Sequence, residues 1–168
     1  SRGLGDVYKR QGEAWRLVGD ATALGGESAP TQMWELPGLQ VADTATAGGT
    51  SVVASYPRTS STVATLQREL PGAVDAVSDF WGDDWDRRAV VVATATDDEF
   101  AALVPEGRAA TGTAAAATVF SSLDLVQRTA TGQRIILTPA ARELAAPTLA
   151  VVLRHELTHV AARVHTAL

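Results

Sequence analysis

Near the end of the chain stand His155, Glu156, Leu157, Thr158 and His159, two imidazoles four residues apart with a carboxylate directly after the first. On a helix, four residues rotate by about 400° and rise by about 6 Å, so both imidazoles project from one face. That arrangement can hold a single zinc ion. Glu156 is turned by about 100° from His155, which places it beside such an ion rather than on it. From there a carboxylate can take a proton from metal-bound water and hand it to a leaving amine. Zn2+ supplies the other half, lowering the water pKa towards ~7 and polarising the carbonyl under attack. His155 and His159 are thus the expected metal ligands and Glu156 the expected catalytic base. The bland alternative is a buried helix with two hydrogen-bonded histidines. Val152, Leu153, Leu157, Thr158, Val160 and Ala161 are uncharged, as expected of a helix sunk beneath a cleft, and all three His of the chain fall between positions 151 and 168.

A catalytic zinc takes three protein ligands. The chain has no Cys, which excludes thiolate ligands and disulfides. His165 is the one His left. If the helix continues through Ala162, the best helix former, His165 lies about 240° round from His159 and about 9 Å further along the axis. It cannot then reach the ion, and reads as a polar residue on the solvent side of the last turn.

Several elements must position this helix. From Gly12 to about Pro57 the chain reads as short strands broken by turns, with alternation at Glu13–Val18, around Met33–Leu36, at Leu39–Ala42 and at Ser51–Ala54, and with Gly48-Gly49 as a turn. Val63, Leu66, Leu70, Val74, Val77 and Phe80 then form one apolar stripe at helical spacing. Pro71 is expected to kink or divide that helix. Arg88–Thr94 reads as a buried strand, and Asp97, Asp98 and Glu99 open a short helix with acidic groups at its positive end. Ala114–Phe120 and Arg134–Leu137 are further strands. Thr138-Pro139 starts a short helix through about Leu144, and Pro147 starts the last one. Helix, strands and a long final helix give an α+β fold.

The first eleven residues, SRGLGDVYKRQ, resemble the in-frame translation of a transposase adapter used in preparing sequencing libraries, and are set aside as an artefact. Arg2, Lys9, Arg10 and Asp6 fall in that stretch, so without it 11 basic residues face 18 acidic ones and the net charge is −7. Such a balance argues against nucleic acid as a partner and gives no lipid-binding signal. No apolar run approaches the ~18 residues of a membrane span.

The run Leu149–Val164 (LAVVLRHELTHVAARV), together with several segments N-terminal to it, resembles the zincin metallopeptidases, and most of all the gluzincins and the peptidase MA-like proteins of GC-rich bacteria. Trp81-Gly82-Asp83-Asp84-Trp85, Arg88–Thr94, Glu99–Leu103 and Arg134–Pro139 match the segments expected ahead of the HExxH helix. The resemblance implies a Zn2+ enzyme acting on a peptide or protein, exported or membrane-anchored. It also implies that Ser60 onward is the N-terminal half of a zincin domain, a small mixed sheet packed on helices, with a Glu third ligand expected beyond Leu168. Residues 58–168 are then a partial catalytic domain and residues 12–57 a β-rich segment, the possible tail of an upstream domain. Two alternatives stay open. His165 gives the spacing HExxHxxxxxH, which resembles the metzincin HExxHxxGxxH with Ala162 in place of Gly; a break in the helix at Ala162 would favour it. The other alternative is a non-catalytic zincin-like binding or scaffold domain. Zincins bind extended peptide along an edge strand, for which Thr113–Val119 is the best candidate, although an ordinary sheet strand is the stronger reading. Trp81 and Trp85 with Asp83, Asp84 and Asp86 read as a loop anchored by two aromatics rather than a calcium site.

Overall fold

The computed structural model describes residues 6–11, 14–19, 31–104, 111–124 and 129–163, with side chains over 31–104, 113–121 and 132–162. Its centre is a six-stranded mixed sheet. Two antiparallel strands, β1 (Asp6–Gln11) and β2 (Ala14–Gly19), form a separate hairpin, and β1 lies wholly inside the adapter-like stretch. Then come β3 (Gln40–Thr46), β4 (Gly49–Ser55), α1 (Ser60–Trp81), β5 (Val90–Ala93) and α2 (Asp97–Leu103). They are followed by β6 (Thr111–Gly112), β7 (Ala116–Val119), β8 (Ser122–Asp124), β9 (Thr129–Thr131), β10 (Arg134–Leu137) and α3 (Ala146–Arg163). The main sheet runs β3-β4-β5-β10-β7-β6, while β8 and β9 pair with each other.

The parallel pairs are β4 with β5 and β5 with β10; the remaining pairs are antiparallel. Parallel neighbours need a crossover, and α1 supplies it between β4 and β5. Because β4 hydrogen-bonds to β5 in the register Val53↔Val91, residues 40–55 belong to the same sheet as β5, β10 and β7. The segment boundary expected at residue 57 therefore falls inside one hydrogen-bonded layer.

Strand side chains alternate between faces. Val53, Val91, Ala93, Ile135 and Leu137 face a core shared with α1 and α3, to which α1 adds Leu66, Leu70, Val74 and Val77 and α3 adds Leu149, Leu153 and Leu157. Ala54, Val92 and Ile136 face the other way, into a smaller cluster with Tyr56, Leu103 and Val119. Helices thus lie on both faces of the sheet, with the long pair α1 and α3 together on one. The α+β fold class expected from the sequence is what the chain adopts.

Three local expectations need correction. Met33–Glu35 forms a 3-10 turn rather than a strand; Glu35 reaches back to the Gln32 N–H at 2.6 Å and closes it as a cap. Pro71 does not divide α1, which runs unbroken for 22 residues. Pro71 leaves the carbonyl four residues back without its helical donor, and Gln67 there is exposed, so water can serve it. Phe80, placed in the apolar stripe, is 81% exposed, and Trp81 packs against the core instead. Among the described residues, no helix is long and apolar enough to cross a membrane.

Candidate metal centre

α3 carries the HELTH residues. Its buried face is built from Leu149, Leu153, Glu156, Leu157 and Val160, spaced by three and four, so this stripe holds the helix on the sheet and on α1. His155 and His159 lie one turn apart beside that stripe, about 100° and about 60° round the helix from Glu156, His155 exposed and His159 partly buried. Their rings meet edge to face with centroids 4.8 Å apart, and the two Nε2 atoms are separated by 3.2 Å.

That separation is the fit test for a shared ion. Two nitrogens each about 2.0–2.1 Å from a tetrahedral zinc stand about 3.3 Å from one another. The histidine pair already has the spacing such an ion requires. An N–H···N hydrogen bond between the rings has the same length, so the pair is also satisfied by itself in one tautomer.

No group of three or more His, Cys, Asp or Glu able to hold a metal occurs among the described residues. α3 stays helical through Ala162 to Arg163, so the break at Ala162 that would bring His165 round is not found there. His165 itself lies outside the described residues.

Glu156 differs from its two neighbours. Its relative exposure is 0%, and the Thr118 hydroxyl of β7 donates to its Oε2 at 2.6 Å. The rotation of about 100° from His155 turns the carboxylate under the helix, into the seam between α3 and β7. Thr118 is also fully buried. Sequence reading missed this partner. Thr118 sits 38 residues away in a run of Ala and Thr, and its only signal is the strand alternation that puts Ala116 and Thr118 on the same face.

The remaining candidates separate from this centre. Thr113–Val119 contains β7, which is not a free edge. β10 pairs with all four of its residues, and β6 pairs with Ala117 and Thr118. Trp85 is buried in the main core, while Asp83, Asp84 and Asp86 are exposed and Asp83 lies 3.7 Å from Arg87. The loop is anchored by its aromatics, as expected. Gly82 begins it at φ +105°, a conformation that favours glycine, and closes α1 with its N–H on the Ser78 carbonyl at 2.8 Å. Compared with protein-family models, curated proteins and solved structures, the chain matches none.

Proposed function

We propose that this chain carries two zinc ligands and the general base of a zinc-dependent peptidase. The observation that supports it most is the 3.2 Å approach of the His155 and His159 Nε2 atoms one turn apart on α3. In this reading His155 and His159 hold the ion and Glu156 accepts a proton and delivers it to the leaving amine. Thr118 holds one oxygen of Glu156 in the seam with β7, and in this reading the carboxylate leaves that enclosure to act as base. A bound zinc would supply Lewis acidity and an acidified water. A third donor is not among the described residues, so the pair alone binds zinc weakly. The finer assignment, a gluzincin-like domain, rests on the resemblance of the HELTH run and the segments before it.

The experiment is a Zn2+ titration of the chain by calorimetry, with His155→Ala, His159→Ala and Glu156→Gln alongside. One zinc per chain is expected, lost in either His variant and kept in Glu156→Gln. Binding that survives both His substitutions would overturn the reading. Peptide hydrolysis by the reading frame that contains this chain should disappear in Glu156→Gln while its zinc is retained.

A second reading has an observation of its own. Glu156 is wholly enclosed and held by Thr118, as suits a carboxylate that fastens α3 to β7 in a non-catalytic binding domain. Hydrolysis that persists undiminished in Glu156→Gln would remove the base assignment, whereas zinc binding without any hydrolysis would favour this second reading.

A further inference from the structure

The face of the sheet opposite α3 holds a second polar centre, independent of the histidines. Arg134 opens β10 and points to the same side as Ile136. It is only 7% exposed. Its Nη1 donates to the Ser121 hydroxyl at 3.0 Å and to the Gly132 carbonyl at 2.6 Å. The ion pairs found among the described residues join Arg68 to Glu69 and Arg87 to Asp83, so no carboxylate there serves Arg134. Burial pushes its guanidinium pKa below the usual value.

Beside it lies a cavity of about 180 Å³ bounded by Arg134, Gln133, Met33, Trp34 and Val90. That volume is the share of about six water molecules in the liquid, room for a small ligand only. Gln133 Oε1 is buried and has no hydrogen-bond partner. Among the described residues the cavity therefore joins a cation without a counter-charge, an acceptor without a donor, and an apolar wall.

A guanidinium has five N–H donors in a plane and stays charged in proteins. Both bonds seen here use Nη1, so the fork retains donors for a ligand. Its geometry matches a carboxylate, which it binds through two parallel hydrogen bonds. Gln133 Oε1 calls for an N–H, and Met33, Trp34 and Val90 for a short apolar portion. We propose that this cavity binds a small carboxylate that also bears an N–H, the chemistry shared by an N-acylated amino acid and the C-terminal residue of a peptide.

The test is NMR titration of the 168-residue chain with N-acetylglycine, following the Gln133 side-chain amide and the Trp34 indole. Saturable shifts are expected with a dissociation constant on the order of 1–10 mM, as suits so few atoms. N-acetylglycinamide, alike in shape but uncharged, should shift neither signal. Gln133→Leu, which keeps Arg134 in place, should weaken binding severalfold. The sources separate on N-acetyl-Ala-Ala-Gly: tighter binding than N-acetylglycine assigns the site to a peptide end, exclusion of the longer peptide to a free small acid. No shift with N-acetylglycine, or equal shifts with the amide, overturns the proposal.

Discussion

The hydroxyl of Thr118 and the carboxylate of Glu156 meet at 2.6 Å in a place with no exposure. Burying a carboxylate costs heavily unless it is hydrogen-bonded. Thr118→Val keeps the shape and removes the donor, and should destabilise the chain by about 1–3 kcal/mol in urea unfolding. Thr118→Ser should recover most of that loss. An unchanged midpoint in Thr118→Val would mean that Glu156 does not depend on the hydroxyl. Tyr56 is a second residue whose environment is measurable. It is 2% exposed, its hydroxyl donates to the Met33 carbonyl at 2.8 Å, and its pKa is pushed up to about 12 by burial and then by Glu99. The folded state thus holds the phenol proton more tightly than the unfolded chain, whose tyrosine titrates near 10. This contribution is fully present below pH about 10 and is lost as pH rises through about 12, amounting to about 2–3 kcal/mol. Tyr56→Phe should flatten that part of the stability profile between about pH 9.5 and about pH 11.5, read by urea melts at each pH. A slope as steep as in the parent chain would place the titration elsewhere.

Elements were legible wherever one period dominated. β10 lies where the sequence put it, because Arg134–Leu137 is a short apolar run bounded by turn residues. α2 begins at Asp97 because Thr96 and Glu99 form a capping box, with the Thr96 hydroxyl accepting from the Glu99 N–H at 3.1 Å. Spacing by three and four placed Phe80 at the end of the α1 stripe, but the angles do not. Measured from Leu66, the stripe runs through Val77 at about 20° and Leu70 at about 40° to Val74 at about 80°, so Trp81 at about 60° falls inside it and Phe80 at about −40° falls outside. Tertiary packing agrees with the angles: Trp85 folds back into the core after Gly82, and Trp81 stays with it. Phe80→Ser should therefore change stability by less than about 0.5 kcal/mol, the range of ordinary surface substitutions. Trp81→Ala should cost well over about 1 kcal/mol in the same denaturation assay, because it strips apolar area from a partly buried ring. The reverse order would restore Phe80 to the stripe. For the candidate site, the two imidazoles were legible because a four-residue spacing fixes their common face. The burial of Glu156 was not, since it depends on which strand lies under α3.

At the scale of the whole molecule, the histidine pair depends on strands far from it in sequence. α3 rests on α1 and on the sheet, and α1 is the crossover between β4 and β5. Val53 of β4 sits in the same core as Leu153 and Leu157, at 1% exposure. Strand alternation in residues 12–57 suggests a segment separable from the remainder of the chain, and local pattern has no means of reporting that β4 pairs with β5. Hydrogen bonding across the sheet carries that information, because Val52, Val53, Ala54 and Ser55 align with Val90, Val91, Val92 and Ala93. A chain beginning at Arg58 would keep α1 and α3 but lose β3 and β4, leaving the β5 edge unpaired and Val91 and Val92 without their neighbours. Exposed, flat, apolar edges of this kind invite association between chains. Such a truncation should show no cooperative urea transition and should aggregate, as followed by circular dichroism and light scattering. A chain beginning at Gln32, which keeps Met33 under the Tyr56 hydroxyl along with β3 and β4, should unfold cooperatively. Equal cooperativity in the two truncations would mean that residues 58–163 close their core unaided, and the division suggested by the sequence would then mark a real unit.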